Sequence, residues 1–463
     1  MSRGRLAAAL VGLGAALLAA PASAAPAELG LNVHQSKDTG VDATSSAGLK
    51  WVRIDVDWYG IETAAGVYDW SVIDALVDRA TSKGLSVLAV LSYTPAWASQ
   101  GDTKGGGTLN DVPKAGTYAS FVTAAVNRYK SKVTHYELWN EPNLEQFFEG
   151  TPADYLSRVL VPGADALHAA CPACLVLGPG LATVGGEYAN WMEVVLPAAA
   201  SKIDVVTGHV YAGFPGPPGS SGPGVTSDSF FNKLESHRVV KVGGATVYEG
   251  PLSFKEEMDK HGVKKPFWLT ETGLEATAGN AKEEAAQVEY YKKTLEAMLT
   301  RPWWTATIFY EAFDEPGQPY RWGVVRRDPA APSGYVPKAS HGFLSKVRAS
   351  SPYFGGSKSD CDDGLDNDGD GATDFPSDTT CASAASSSEG KPVAPDAGAS
   401  SSSGSSGSSG DDGGASSGSV DPGEPPPRDE GGCSAAPRAG VGEGLVVGAL
   451  ALALGLTLRR RRG

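Results

Sequence analysis

Short apolar segments alternate with longer amphipathic segments along residues 27–354 of the chain. The short segments are rich in β-branched and aromatic residues, a composition typical of strands that are buried on both faces. They predict eight strands, at residues 29–34, 52–56, 86–91, 135–139, 175–178, 204–210, 267–270 and 305–310. In the longer segments the apolar residues recur at helical spacing, which predicts helices at residues 72–83, 117–130, 152–170 and 283–300.

Regular alternation of strands and helices indicates an α/β fold. Eight strand–helix units over residues 27–354 match a (β/α)8 barrel, also called a TIM barrel. An open doubly wound sheet alternates in the same way, but it gathers its functional residues at one switch point of the strand order. Here, polar and aromatic candidates for a functional site follow nearly every predicted strand. We therefore predict the closed barrel.

The N-terminal residues have the pattern of a secretory signal. Arg3 and Arg5 precede an apolar run at residues 6–20, and small residues follow at 22–24. This order is typical of a cleavable signal peptide, which we place at residues 1–24. The alternative is a membrane anchor, but the run is shorter than the roughly 20 residues that a spanning helix needs. We therefore expect an exported protein.

The composition changes after residue 354. Residues 355–381 are rich in Asp and Gly, whereas residues 382–437 consist mainly of Ser, Gly, Pro and acidic residues. A segment of the second kind cannot bury enough apolar surface to offset its ordering entropy, so we predict a disordered linker there. Residues 438–463 contain an apolar helical segment that ends in four arginines. Such a flank favours the cytoplasmic side of a membrane, which predicts a sorting or transmembrane segment.

A cysteine, Cys433, lies just before this C-terminal segment. A Cys, an apolar helix and a terminal arginine cluster resemble the C-terminal sorting signals of myxobacterial surface proteins. The resemblance implies cleavage at Cys433 and retention at the cell surface or outer envelope. A simple C-terminal anchor is the alternative, and secretion after processing is a further outcome. Each of these outcomes places the globular part outside the cytoplasm.

The other four cysteines suit an oxidising compartment. Cys171 and Cys174 form a C-x-x-C motif, and Cys361 and Cys381 bracket the acidic segment. A zinc site would need a second C-x-x-C motif or a His pair nearby, and the sequence offers neither. We therefore predict two structural disulfides, Cys171–Cys174 and Cys361–Cys381.

Two predicted strands, the fourth and the seventh, deliver a glutamate at their C-terminal ends. Glu141 lies in the segment WNEP (139–142), and Glu271 lies in TETG (270–273). Strands four and seven lie across the mouth of an eight-stranded barrel, so the two carboxylates can face each other. Glycosidic bonds are cut by two carboxyl groups that flank the bond. The pair therefore predicts a glycoside hydrolase that acts on a polysaccharide or oligosaccharide and needs no catalytic cofactor.

The segment WNEPNL (139–144) resembles the acid/base strand of glycoside hydrolase clan A, whose members are retaining (β/α)8 enzymes, and is most similar to the β-xylosidases and α-iduronidases. The strand-eight segment FYEAFDEP (309–316) is more similar to the cellulase and β-1,3-glucanase branch of the clan. Further resemblance extends over most of the globular part, in WVRID (51–55), GVYDW (66–70), YTPAW (93–97), HVY (209–211) and TETG (270–273).

The resemblance implies roles for the matching residues. Glu141 is expected to act as general acid/base, and Glu271 as the nucleophile of a double displacement. In a retaining enzyme the two carboxyl groups should lie about 5–5.5 Å apart. Asn140 is expected to bond the sugar 2-hydroxyl, and Arg53 to keep Glu271 ionised.

His209 and Tyr211 are expected to hold or orient these carboxylates. A plain ion pair with Asp55 or Asp57 is the alternative for Arg53, and an ordinary core position is the alternative for His209. The Gly- and Pro-rich loop at 214–243 follows strand six and is placed to wall a cleft. Further candidates for substrate contacts are Trp97, Phe147, Tyr310, Glu311 and Trp322.

The acidic segment contains part of a calcium-binding pattern. Asp366, Asp368 and Asp370 reproduce the first half of an EF-hand loop, and Asp374 occupies its ninth position. Ser377 stands at the twelfth position, where a glutamate is expected. The segment resembles the short calcium repeats of extracellular bacterial proteins. We predict a structural calcium site at the four aspartates; a solvated acidic spacer is the alternative.

Two other functions use the same barrel. One is a surface protein that binds glycans without cutting them, and the other is a transglycosylase that remodels the cell envelope. A binding protein has no need for both glutamates and Arg53, so these residues favour an enzyme. The formal charge of −14 argues against nucleic acid as a partner. The predicted tether to the envelope favours a monomer.

Overall fold

The computed structural model describes residues 26–35, 38–101, 109–183, 187–211, 230–236, 238–242, 245–249, 251–317 and 321–390. Packing divides the chain into two units, Met1–Lys391 and Pro392–Gly463, and every described residue belongs to the first. The predicted signal peptide and the predicted C-terminal segment lie outside these ranges. Within these ranges, no helix is long and apolar enough to cross a membrane.

Eight parallel strands close into a barrel, in which each strand pairs with the next along the chain and the eighth pairs with the first. This arrangement confirms the predicted (β/α)8 barrel. The strands are β1 (Glu28–Asn32), β2 (Trp51–Asp57), β3 (Ser86–Ser92), β4 (His135–Leu138), β5 (Leu175–Ala182), β6 (Val205–His209), β7 (Phe267–Thr272) and β8 (Trp304–Phe309).

Helices connect the strands, and their buried faces pack on the barrel. All four helices predicted from the sequence are present, with ends shifted by a few residues. One of them starts at Pro152, where Thr151 and Asp154 form a capping box. The helices are Thr39–Ser46, Trp58–Ile61, Ser71–Ser82, Thr117–Tyr129, Pro152–Tyr155 (continuing through the π-turn Leu156–Leu160 into Val161–Ala170), Glu187–Ala199, Phe230–Leu234, Phe254–Lys260, Ala281–Leu299 and Ala339–Ser350.

In the described part of the chain, three small sheets lie outside the barrel strands. Two are hairpins, and the third is a three-stranded sheet in the connection between β8 and the last long helix. Their strands are Glu62–Ala64 with Val67–Tyr68, Arg238–Val242 with Ala245–Glu249, and Phe313–Asp314 with Val325–Arg327 and Tyr335–Pro337.

The barrel interior changes from apolar to charged along the strands. Inward-facing residues that include Trp51 and Trp268 form an apolar cluster near the N-terminal ends. Two residues further along β2 lies Arg53, which pairs with Glu137 of β4 and is buried with it. Because side chains alternate across a strand, this second layer faces the same interior as the first. The layer of Arg53 and Glu137 therefore lies between the apolar cluster and the residues at the C-terminal mouth of the barrel.

The structure contains both predicted disulfides, Cys171–Cys174 and Cys361–Cys381. The second closes the acidic loop, which extends further than its predicted end at residue 381. Glu389 is buried, and its carboxylate accepts hydrogen bonds from the backbone N–H groups of Asn367 and Asp374. Residues 382–390, assigned to the linker by composition, thus pack with the loop. The prediction was based on amino-acid composition, and one Glu that accepts hydrogen bonds from two backbone N–H groups hardly changes the composition of a segment.

Candidate active site

Glu141 and Glu271 meet at the mouth of the barrel. Glu141 lies three residues after the end of β4, and Glu271 lies near the end of β7. One carboxylate oxygen of each and a ring nitrogen of His209 all lie within 4.8 Å of one another. Oxygens at most 4.8 Å apart fit the separation of about 5–5.5 Å in retaining glycosidases better than the roughly 6.5–9.5 Å of inverting ones. The two side chains are 11% and 9% exposed, so both are largely buried but retain some exposure to solvent.

A sharp turn after β4 directs Glu141 into the mouth. Trp139 and Glu141 both have positive φ, at 84° and 43°, a conformation that costs free energy for residues other than glycine. Neighbouring strands hold this turn, because the Glu141 backbone N–H donates to the Gly180 carbonyl at 3.0 Å. The indole N–H of Trp139 donates to the Phe147 carbonyl. The strained backbone therefore lies at the turn that directs the Glu141 side chain across the barrel mouth.

Arg53 links both carboxylate strands from below. Its Nε donates to Glu137 at 2.8 Å, and its Nη1 donates to Glu271 at 2.6 Å. Nη1 and Nη2 also donate to the side-chain oxygens of Asn32 and Asn140. The structure thus places Arg53 beside Glu271 and Asn140. The alternative of a plain ion pair within β2 is replaced by bonds to four residues on other strands or strand ends.

The environment of Glu271 favours its ionised form. Burial alone would raise the pKa of this carboxyl, but the charges of His209 and Arg53 outweigh it and lower the pKa below its usual range. The Tyr211 hydroxyl acts in the same direction by donating to Glu271 Oε2 at 2.7 Å. Glu271 is therefore held as a carboxylate, as a nucleophile must be.

The environment of Glu141 favours its protonated form. Burial raises the pKa of this carboxyl, and the charge of Glu271 adds to the effect. His209 opposes it, since its Nδ1 lies 2.7 Å from Glu141 Oε1. The same nitrogen lies 3.6 Å from Glu271 Oε2. Two neighbouring carboxyl groups with opposite pKa shifts are the arrangement expected for a general acid beside a nucleophile.

His209 lies in the core, where it contacts the two carboxylates. It is fully buried, and its Nε2 has no hydrogen-bond partner among the residues that the structure describes. Burial alone would lower its pKa, but the charge of Glu271 and the hydrogen bond to Glu141 outweigh burial and raise it. His209 therefore contacts both carboxylates through one nitrogen.

Sequence reasoning missed Glu137. This residue is completely buried in β4, where it accepts from Arg53 and, at 3.0 Å, from the Thr270 hydroxyl. Two signals could have identified it: a charged residue in the middle of a buried strand, and a matching arginine in the middle of β2. Glu137 holds Arg53 in place and so supports Glu271 indirectly.

A second polar cluster, also missed as a unit, lies at the ends of β1, β2 and β8. His34 Nδ1 lies 2.8 Å from Asp55 Oδ2, and its Nε2 lies 3.1 Å from Glu311 Oε2. Burial opposes charge on this ring, but the Asp55 carboxylate outweighs it and raises the pKa of His34 well above its usual value. Next to them, Asp57 accepts from Gln35 at 2.9 Å. The predicted supporting residue Glu311 thus belongs to this cluster.

The aromatic candidates fall into two groups. Tyr211, Tyr310 and Trp322 pack edge to face, with ring centroids 5.3–6.1 Å apart. Since Tyr211 bonds Glu271, these rings adjoin the carboxylate pair. Trp97 instead packs on Trp58 at 5.9 Å and donates to the Glu62 carbonyl.

The two remaining candidates are Phe147, which the structure describes, and the loop at 214–243, most of which it does not describe. The ring of Phe147 lies 6.3 Å from that of Tyr93, whose hydroxyl accepts from Asn140 at 3.4 Å. Phe147 is therefore on the β4 side of the mouth. Residues 212–229, which include most of the predicted wall of the cleft, lie outside the described ranges.

In the acidic loop, Asp366, Asp368 and Asp370 present carboxylate oxygens within 4.8 Å of one another. Both oxygens of Asp366 accept backbone N–H groups of the loop. Asp374 turns towards the Gly364 N–H, which donates to it at 3.1 Å. The first three aspartates thus converge, whereas calcium binding by the loop stays a prediction.

No family model and no curated protein sequence matches the chain. Among solved structures, it is similar to a family 39 glycoside hydrolase from Bacteroides cellulosilyticus WH2, with 21% identity and a TM-score of 0.51. That similarity covers 69% of this chain and 63% of the other, so the chain spans less than two thirds of that protein. It is also similar to a monomeric β-xylosidase from Caulobacter crescentus CB15, with 20% identity and a TM-score of 0.50, covering 71% and 70% of the two chains. These similarities show that the chain has the barrel fold of these structures.

Proposed function

We propose that this protein is a retaining glycoside hydrolase, with Glu141 as acid/base and Glu271 as nucleophile. The observation that carries the proposal is the pair of carboxyl groups within 4.8 Å whose pKa values shift in opposite directions. The similarity in fold to a family 39 glycoside hydrolase and a β-xylosidase supports it. The active site needs no metal or cofactor for this chemistry, because both steps use side chains and water.

In the first step, a carboxylate oxygen of Glu271 forms a bond to the anomeric carbon. The bond from that carbon to the leaving oxygen breaks, and Glu141 transfers its proton to that oxygen. Arg53 and Tyr211 position the attacking carboxylate through their bonds to its two oxygens. The Asn140 oxygen already accepts from Arg53 and one amide hydrogen donates to Tyr93, so the second amide hydrogen is the one available to the sugar 2-hydroxyl.

In the second step, Glu141 is a carboxylate and takes a proton from water. The water oxygen bonds to the anomeric carbon, and the ester bond to Glu271 breaks. His209 stabilises the charge on Glu141 between the steps, since its Nδ1 lies 2.7 Å away. Two displacements at one carbon give net retention of configuration.

The substrate class is a polysaccharide or oligosaccharide. The ring group of Tyr211, Tyr310 and Trp322 adjoins the nucleophile and offers faces and edges on which a sugar can pack. A β-xyloside is the first substrate to test, because one similar structure is a β-xylosidase. The same comparison favours a monomer, since that β-xylosidase is monomeric.

A panel of aryl glycosides and polysaccharides, with chromatography of the products, tests the proposal. We expect at least one glycan to be cleaved by the wild-type protein and not by Glu141→Ala, with azide restoring turnover of an activated substrate in that variant. Glu289→Ala is the matched control, because Glu289 is exposed on an outer helix. A glycan that binds without any product would favour the binding protein, and longer products would favour the transglycosylase.

The proposal extends to the location of the enzyme and to calcium. Export through residues 1–24 and retention through residues 438–463 would place the barrel at the cell surface. Fractionation of cells that produce the full chain tests this placement. Structural calcium at Asp366, Asp368 and Asp370 is supported by the convergence of their carboxylates. A calcium-dependent rise in Tm that Asp368→Asn abolishes is the expected result.

A further inference from the structure

Three metal-ligating side chains meet on the outside of the barrel, on elements that do not carry the catalytic glutamates. Glu193 lies on the helix Glu187–Ala199, Glu257 lies on the helix Phe254–Lys260, and His261 directly follows the second helix. One ligand atom from each lies within 4.8 Å of the other two. Glu257 and His261 are four residues apart, a spacing that places both side chains on one face of a helical turn.

Two of these side chains each have a buried polar atom without a hydrogen-bond partner among the described residues. Glu257 is only 3% exposed. Neither Glu257 Oε2 nor His261 Nε2 has a hydrogen-bond partner in the described part of the chain. Burying a polar group without a partner is costly, and buried polar groups in native proteins are nearly always satisfied. The pair therefore lacks the ligand that would compensate its burial.

The distances match metal coordination better than hydrogen bonding. His261 Nε2 lies 3.4 Å from Glu257 Oε2 and 3.4 Å from Glu193 Oε2. Strong N–H···O bonds are about 2.7–3.2 Å long. For metal–ligand bonds of about 2.0–2.1 Å, the edge of a tetrahedron is about 3.3–3.4 Å. The two distances from one histidine nitrogen to two carboxylate oxygens therefore match the edges of a tetrahedral ligand set.

We propose that Glu193, Glu257 and His261 bind a divalent transition-metal ion, with Zn²⁺ as the best fit. Zn²⁺ accepts mixed nitrogen and oxygen ligands in tetrahedral geometry, and water completes the fourth position. Ca²⁺ and Mg²⁺ fit poorly, because they take six or more oxygen ligands. The ion joins two outer helices across their packing surface and so stabilises the fold without a part in the reaction at the mouth.

A lysine competes for the same site. The Lys260 ammonium contacts Glu193 Oε2, and the Lys260 side chain is 44% exposed. It can swing into solvent when an ion binds, because its flexible stem lies at the surface. Removing this cation should leave Glu193 available to the metal. Lys260→Gln is therefore expected to bind Zn²⁺ more tightly than the wild-type protein, by about fivefold if the surface ion pair has ordinary strength.

Zinc titration of the full-length protein, stripped with EDTA, tests the proposal by calorimetry and thermal unfolding. We expect His261→Gln and Glu257→Gln each to weaken one Zn²⁺ site by at least about 100-fold, since loss of outer-sphere partners alone costs 10–100-fold. The zinc-dependent rise in Tm should disappear with it. Co²⁺ at this site should show the visible absorption of tetrahedral coordination, which octahedral sites of aspartates lack.

His168→Gln is the matched control, because His168 also pairs with a carboxylate, that of Asp204, at a helix surface. It should bind Zn²⁺ like the wild-type protein. Lys260→Gln provides a test even if the His261 or Glu257 variants fold poorly, since Lys260 is exposed. The proposal is overturned if no Zn²⁺ equivalent depends on His261 and Glu257, or if Lys260→Gln binds Zn²⁺ no more tightly than the wild-type protein.

Discussion

The barrel mouth and the acidic loop are both rich in carboxylates, yet they balance that charge in different ways. At the mouth, side chains from distant strands supply positive charge: Arg53 of β2 and His209 of β6 both lie next to Glu271. In the loop, backbone N–H groups supply hydrogen bonds instead, two to Asp366 and two to Glu389. The first solution needs a closed barrel, and the second needs only a tight local turn.

The difference decides which carboxyl groups are ionised. Burial raises the pKa of Glu271, but the positive charges of His209 and Arg53 lower it by more, so this pKa lies below its usual range. In the loop, burial outweighs the hydrogen bonds and raises the pKa of Asp363 to about 6 and that of Glu389 to about 7. Side-chain cations thus keep Glu271 charged, whereas Asp363 and Glu389, which have no such cations beside them in the described part of the chain, have raised pKa values.

The largest effect should come from removing Glu271, the proposed nucleophile, which the cations at the mouth hold ionised. Glu271→Ala is expected to lower kcat/KM by at least about 10⁴-fold, as loss of a catalytic nucleophile does in other enzymes. Initial rates on the best substrate of the panel measure this, with Glu289→Ala as the control. Activity within tenfold of wild type would remove Glu271 from the mechanism.

The next effect concerns the central cation itself. Arg53→Met leaves Glu137 and Glu271 buried without their partner, so we expect a loss of about 3–5 kcal/mol in the free energy of unfolding. Urea unfolding monitored by tryptophan fluorescence measures it. Arg326→Met removes an exposed pair with Asp328 and should cost less than about 1 kcal/mol. Equal losses in the two variants would contradict the account of the charged layer.

A smaller effect should appear in the pH profile of activity. The proposed mechanism needs Glu271 ionised and Glu141 protonated, so kcat/KM should fall below the lowered pKa of Glu271 and above the raised pKa of Glu141. The His209 ring lowers the pKa of Glu141. His209→Gln should therefore move the alkaline limb to higher pH. A shift of that limb to lower pH would be inconsistent with the contact between the two side chains.

The smallest effect should come from the loop. Asp363 and Glu389 have raised pKa values in the folded protein, so they favour folding below the pKa of the unfolded chain, and this contribution is lost as the pH rises through about 6 to 7. In calcium-free buffer, Tm should therefore fall between pH 5 and pH 7.5 by about a few degrees. Glu389→Gln should flatten the fall, and activity should not change.

The same contrast explains how much the sequence could predict. The apolar segments locate all eight strands, and because they also locate the strand ends, they identify Glu141 and Glu271 as neighbours at the mouth. Glu137 was missed because its partner Arg53 is 84 positions away, on β2, which is separated from β4 by β3, so that the two side chains meet only in the interior of the closed barrel. No local sequence pattern predicts an ion pair between residues so far apart in the chain.

The polar cluster of His34, Asp55 and Glu311 was also missed because its residues are far apart in the sequence. It combines residues from β1, β2 and the end of β8, and Glu311 reaches His34 only because β8 closes the ring against β1. In the acidic loop, by contrast, the polar residues lie close together in the sequence. Its aspartates are visible in the sequence, but the contribution of Glu389 depends on a chain reversal that composition does not record.

The central claim is that Glu271 forms a covalent bond to the sugar while Glu141 protonates the leaving group. An activated 2-deoxy-2-fluoro glycoside of the cleaved sugar should trap this state, because the fluorine slows the second step more than the first. Peptide mass mapping of the inactivated protein is expected to find one glycosyl group, on Glu271, and none in Glu271→Ala. A glycosyl group on another residue, or rapid turnover with inverted configuration and no adduct, would contradict the account.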